Sequence, residues 1–163
     1  MLSTYPARIA IPAYEKLRKT YEVGLADMKI LVTGGAGYIG SHACKVLARR
    51  GFEPIVFDNL SRGNRWAVKW GPLELGDIAN SVRLRTVLEQ YRPAALMHFA
   101  AYAYVGESVE DPLLYYQNNV AASAALLQTL LSFETIPVVF SSTSATYGAP
   151  DADSGEHSAT PTW

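Results

Sequence analysis

At 163 residues the chain has room for one domain with its own core and too little for a comfortable pair. Hydrophobic residues at 49% against 18% charged exclude a disordered chain, and a formal net charge of -1 leaves no basic excess that would suggest nucleic acid or an anionic membrane as partner. A single cysteine, Cys44, excludes an internal disulfide, and no apolar run approaches the roughly 18 residues of a membrane span, so a soluble cytoplasmic protein without a metal is expected.

Residues 1 to 27 differ in texture from the rest of the chain. Pro6 and Pro12 interrupt them, Arg8, Lys16, Arg18 and Lys19 stud them, and no period emerges. They read as an extension outside the core, with Met28 as the functional start; a helix around Pro12 to Tyr21 packing on the domain is the alternative. Residues 28 to 163 then read as one domain. Lys29 to Thr33 is a short apolar run that ends in glycines, as a buried parallel strand does before a tight turn. A helix comes next from Tyr38 to Arg50, then a strand from Pro54 to Phe57 and a polar loop from Asn59 to Asn64. A short strand at Leu73 to Leu75 precedes a helix at Ser81 to Tyr91, in which Val82, Leu84, Val87 and Leu88 recur at helical spacing, and a strand at Ala95 to Phe99. Asp111-Pro112 is a cap followed by proline at the first helical position, which predicts a long helix to Phe133, and the last strand is Pro137 to Ser141. Strands alternating with helices of this length predict an α/β fold: a doubly wound parallel sheet of about five strands, incomplete as a Rossmann sheet, with helices on both faces.

The turn between the first strand and first helix reads Thr33-Gly34-Gly35-Ala36-Gly37-Tyr38-Ile39-Gly40. Glycine spacing alone is a weak signal, but here a strand precedes it and a helix comes after. Gly34 permits the tight turn, Gly37 removes a side chain that would block a pyrophosphate, and Gly40 lets the helix press on the strand. The helix N-terminus offers free N–H groups and a partial positive charge, which supplies the anion site that the net charge does not. Asp58 ends the second strand 18 residues beyond Gly40, close to the offset of a carboxylate that binds the adenosine ribose and repels a 2′-phosphate. NAD is therefore expected over NADP. Arg62 and Arg65 could counter that preference or simply be solvated loop charges.

Several further segments occur in order between Met28 and Gly148: Phe57-Asp58-Asn59-Leu60, Gly76-Asp77-Ile78, His98-Phe99-Ala100-Ala101, Val105-Gly106-Glu107-Ser108, Tyr115-Tyr116-Gln117-Asn118-Asn119-Val120 and Phe140-Ser141-Ser142-Thr143. With the glycine spacing, they make the chain resemble the UDP-glucose 4-epimerases, NAD-dependent enzymes of the extended short-chain dehydrogenase type. The resemblance implies that Tyr38 and Ile39 cover the pyrophosphate, Asp58 and Asn59 take the ribose, and Asp77 and Ile78 take the adenine. It also implies that Phe99, Ala100 and Ala101 line the cofactor, that Asn118 touches it from the long helix, and that Thr143 is the catalytic-site hydroxyl on the sugar's 4-oxygen. Ala103 stands where the family often has a lysine near the diphosphate. His98, Tyr115 and Tyr116 read as packing residues, and Ser141 and Ser142 equally well as strand-end hydrogen bonders. The implied partner is a UDP-sugar, and the implied reaction is transient oxidation at C4. A tyrosinate takes the hydroxyl proton while NAD takes the hydride, which returns to the other face and so interconverts UDP-glucose and UDP-galactose.

The base of that reaction is a tyrosine with a lysine four residues on, and none of the ten tyrosines has one. Tyr147 is followed by Asp151, and Tyr14, with Arg18, lies in the extension. The chain reaches Pro161-Thr162 and ends at Trp163, where the family continues to the tyrosine. The expectation is a C-terminally truncated domain that binds NAD weakly, lacks epimerase activity, and leaves Pro137 to Ser141 as an uncovered edge. Two other readings stand beside it: a sugar-nucleotide dehydratase or decarboxylase, disfavoured because Ser144-Ala145-Thr146 replaces the usual acidic pair, and a non-catalytic NAD-binding module. Ala121, Ala124, Ala125 and Leu127 give the long helix a small, apolar face suited to a homodimer or to packing on the sheet.

Overall fold

The computed structural model describes residues 28–142. Residues 1–27 and 143–163 lie outside the described residues, and with them Thr143 and the possible N-terminal helix.

β1 (Lys29–Thr33), β2 (Glu53–Asp58), β3 (Leu73–Leu75), β4 (Ala95–His98) and β5 (Val138–Phe140) form one sheet in the order β3-β2-β1-β4-β5, every pair parallel. Around it run α1 (Tyr38–Arg49), a 3-10 turn (Arg65–Ala67), α2 (Ser81–Tyr91), α3 (Val105–Glu110), α4 (Pro112–Tyr115), a π-helical segment (Tyr116–Ala122) and α5 (Ser123–Phe133). The expected doubly wound parallel sheet is present.

Side-chain alternation on the strands explains the two layers. Leu31, Ile55, Phe57 and Leu96 point to one face and pack with Leu84, Val87 and Leu88 of α2 and Leu126 and Leu130 of α5. Ile30, Val32 and Val56 point to the other face and pack with Ala36 and Cys44 of α1. Each of these large side chains contributes about 1.5–3 kcal/mol on full burial. Burial also pushes the Cys44 thiol up to about 12, so it stays protonated and unreactive.

Local signals account for the helix starts. The Asn80 side chain accepts from Arg83 N at 3.0 Å ahead of α2, and Asp111 accepts from Leu114 N at 3.1 Å with Pro112 at the first helical position of α4. The single long helix expected from Pro112 to Phe133 is corrected in its middle: Tyr116–Ala122 winds as a π helix between two α-helical pieces. Apolar spacing reads the same on either side of such a segment, which is why the sequence shows no break.

His98 ties the layers together. Its Nδ1 lies 2.7 Å from Thr33 Oγ1 on β1 and its Nε2 lies 3.0 Å from Ser123 Oγ on α5. The packing role expected for it therefore includes two buried hydrogen bonds. Burial pushes its pKa below the ordinary 6.5, so the folded imidazole stays neutral where the unfolded one takes up a proton. The unfolded state then binds more protons below pH 6.5, and stability, constant above that pH, falls as the pH drops through it. Urea unfolding at pH 7.5 and 5.5 should give the lower midpoint at 5.5, with a smaller difference in His98→Gln; equal differences in both proteins would remove His98 as the cause.

Candidate functional site

The C-terminal ends of β1, β2 and β4 open into a cleft of about 510 Å³ of empty space, open to solvent and within the usual size range of small-molecule sites. β1 lies between β2 and β4, so the loops after those two strands form opposite banks. The glycine turn forms the floor.

On that floor Gly34 adopts φ +72°, a left-handed conformation, and a Cβ there would lie 2.6 Å from Ala100 N and from Phe99 C. Gly34 N donates to Phe57 O at 3.0 Å, and Gly37 N donates back to Gly34 O at 3.1 Å. A Cβ on Gly40 would lie 2.2 Å from Gly34 O, so α1 presses directly on the turn. No side chain caps α1, whose N-cap is Gly37, so the amides of its first turn remain available as donors. Tyr38 and Ile39 stand just outside at 82% and 59% exposure. Their apolar surface is uncovered at the phosphate end.

The first bank begins at Asp58, which is buried. One carboxylate oxygen accepts from Ala36 N at 2.9 Å, and the other from Leu60 N at 2.8 Å. The carboxylate thus braces the glycine turn against the loop after β2, and each oxygen keeps a further lone pair. Asn59 turns its amide to Asp77, with Nδ2 donating to Oδ2 at 2.8 Å, while Asp77 Oδ1 accepts from Ala79 N at 2.8 Å. Of the residues expected at the site, Gly34, Gly37, Asp58, Asn59 and Ile78 line the cleft on this side. Gly40 and Asp77 stand behind those that do.

Phe99, Ala100, Ala101 and Asn118 line the second bank, as the sequence led us to expect of cofactor neighbours. Ala103 does not line the cleft. Asn119, singled out for no role in the sequence, organises this bank: its Oδ1 accepts from Tyr102 N at 2.9 Å and its Nδ2 donates to Tyr102 O at 2.9 Å. It also accepts from Asn118 Nδ2 at 2.8 Å. Both asparagines sit in the π-helical segment, where the wider turn brings two neighbouring residues to the same loop.

Ser61, Arg62, Gly63 and Tyr102 also line the cleft. Arg62 is ion-paired with Glu107 and stacks over the Tyr102 ring at 4.8 Å. Arg65 lies in the 3-10 turn and not in the cleft lining. Among the described residues no group of His, Cys, Asp and Glu could hold a metal, and no helix is long and apolar enough to cross a membrane.

The model of the NAD dependent epimerase/dehydratase family matches residues 30–162. The chain belongs to this family. Within it, the UDP-glucose 4-epimerase of Rhizobium meliloti (strain 1021) is 54% identical over 128 residues, and that of Rhizobium leguminosarum bv. trifolii is 52% identical over 128 residues. Each alignment covers 78% of this chain and 39% of the relative, so the chain spans about two fifths of the curated relatives it matches. Among solved family structures, the UDP-glucose 4-epimerase from Brucella ovis in complex with NAD superposes with a TM-score of 0.73 at 52% identity, over 77% of this chain and 39% of that one.

Proposed function

We propose that the cleft binds NAD and that these residues form the cofactor-holding part of an enzyme that inverts C4 of a UDP-hexose, the UDP-glucose/UDP-galactose pair. The observation that carries this reading is the joint construction of Gly34, Gly37, the uncapped start of α1 and the buried Asp58 around one cleft. The glycine backbone and the first-turn amides of α1 suit a pyrophosphate, under the cover of Tyr38 and Ile39. The free lone pairs of Asp58, with Asn59, suit ribose hydroxyls. Asp77 and Ile78 flank the adenine, and Phe99, Ala100, Ala101 and Asn118 line the nicotinamide half. Thr143 is assigned to the sugar's 4-oxygen. When bound, NAD supplies a hydride acceptor that can return the hydride.

The described residues offer this chemistry no general base. His98 is neutral, buried and bonded on both ring nitrogens, and Cys44 is protonated and buried. No tyrosine in the 163 residues has a lysine four positions on. A polypeptide of these residues should therefore bind NAD and leave UDP-galactose unconverted. Calorimetry with NAD, paired with a coupled assay for UDP-glucose, tests both halves; turnover at an enzymatic rate would overturn the second.

The cytoplasm is the compartment we assign, supported by one unpaired thiol and the absence of any disulfide partner in the sequence. For a partner we assign a second copy of this chain. Leu113, Tyr116, Val120, Ala124, Leu127 and Leu131 form an exposed stripe along α4, the π segment and α5, with Ala121 beside it. Sheet packing instead uses Ala122, Leu126 and Leu130. Sedimentation at micromolar concentration should show a dimer, and Leu127→Glu a monomer; a monomeric parent would remove this assignment.

A further inference from the structure

The two banks of the cleft are joined. Arg62, on the loop after β2, reaches across to pair with Glu107 of α3, which comes after the β4 loop. Its guanidinium carbon also stands 4.8 Å above the Tyr102 ring and 5.6 Å from the Tyr104 ring. Beside it, Tyr102 Oη lies 3.5 Å from Ser61 Oγ. Ser61, Arg62 and Tyr102 all line the cleft, so these contacts span it rather than lie remote from it.

Both ends of the span are held in place. The Tyr115 hydroxyl lies 2.8 Å from the second oxygen of Glu107 and accepts from Tyr104 N at 3.0 Å, which fixes the carboxylate against the loop. Asn119 grips the Tyr102 backbone from both sides. On the other bank, Asn59 Oδ1 accepts from Ser61 N at 2.9 Å. The span therefore joins two braced loops and cannot open by side-chain rotation of Tyr102 alone.

We propose that Arg62, held by Glu107 and the faces of Tyr102 and Tyr104, is a clasp across the cleft that sets how long a dinucleotide stays in it. The inference rests on the proposed NAD binding. A ligand lying beneath the span leaves only when the Arg62–Glu107 pair parts and the loops separate, and it enters by the same opening. Because Glu107 neutralises the guanidinium, Arg62 acts on the rate of exchange and not as a ligand for a 2′-phosphate. Salt loosens the clasp, since both groups are partly exposed.

Stopped-flow fluorescence with NADH, at matched protein stability, tests this on the parent chain, Arg62→Ala, Glu107→Gln and the charge-reversed pair Arg62→Glu with Glu107→Arg. The single variants should raise the association and dissociation rate constants together, each by about three- to tenfold as the weakening of one exposed ion pair and one cation–π contact allows, and leave Kd unchanged. The reversed pair should return toward the parent. Glu107→Gln keeps the shape of the carboxylate, so the result is read on that variant even where Arg62→Ala is less stable. Rates equal to the parent's in every variant overturn the clasp. So does a rise in dissociation alone with a matching loss of affinity, which would make Arg62 a direct ligand. A folded parent that binds no NADH would remove the NAD reading itself, an outcome distinct from both.

Discussion

Gly40→Ala should lose both stability and NAD affinity. The added methyl would lie 2.2 Å from Gly34 O and 2.8 Å from Gly35 Cα, both backbone atoms that no rotamer can move aside. Relief requires α1 to back away from β1, and overpacking of this kind costs about 1–3 kcal/mol. The same movement withdraws the first-turn amides from the phosphates, and Kd for NAD should rise at least about tenfold, as expected when two or more charge-assisted hydrogen bonds lengthen. Gly37→Ala provides the contrast. Its nearest neighbour would be Gly34 O at 3.2 Å, so the fold should tolerate it while a methyl intrudes on the phosphate seat. Thermal unfolding and calorimetry on the two variants separate the effects. Equal stability losses in both would contradict the packing argument, and an unchanged affinity in Gly37→Ala would contradict the seat.

Asp58→Asn should be nearly as damaging, although it changes one atom. An ionised carboxylate accepts at both oxygens, and here Ala36 N and Leu60 N each use one. An amide offers one oxygen and one NH2, so one of those backbone N–H groups must face a donor in a buried position. Leaving it unpaired costs about 1–3 kcal/mol. The ribose hydroxyls lose an acceptor, and the 2′-phosphate of NADP loses the charge that repels it. The variant should therefore bind NAD about tenfold more weakly, by the loss of one hydrogen bond to a charged group, and narrow its preference against NADP. Chemical denaturation and parallel titrations with the two cofactors measure this. A variant as stable as the parent, with the same cofactor ratio, would refute the bracing role of Asp58.

How far the sequence could be read depends on how local each signal is. β1, β2 and β4 were legible because buried parallel strands are short, continuously apolar and punctuated by glycine or polar loops; their observed ends differ from expectation by a residue, as at Glu53, Asp58 and His98. Asn80 and Asp111 announced their helices through capping chemistry contained within four residues. α3 carried no such signal. It has six residues, its N-cap is Tyr104 with no side-chain bond, and none of its residues is buried, so neither a period nor a cap marks it. The π-helical segment was hidden for a different reason: its wider winding depends on where Asn118 and Asn119 must meet Tyr102, a contact between residues 17 apart.

The site divides along the same line. Gly34, Gly37 and Asp58 were found because the backbone geometry of a strand–turn–helix unit confines phosphate and ribose groups to fixed offsets. Arg62 was ambiguous because its role depends on Glu107, 45 residues away and brought near only by the β1–β4 crossover. Two surface charges far apart in sequence give no sign that they pair. The same holds for Asp58's hold on Ala36 N: a carboxylate at the ribose offset predicts a ligand contact, but only the folded turn shows that it also braces the floor of the cleft.

The measurement that bears most directly on the central claim is isothermal titration of the folded 163-residue chain with NAD and, separately, NADP. Binding of one NAD per chain, with NADP weaker by at least about tenfold because Asp58 faces its 2′-phosphate, is the expected result. A chain that gives a cooperative unfolding transition yet no heat with NAD, or that prefers NADP, would contradict it.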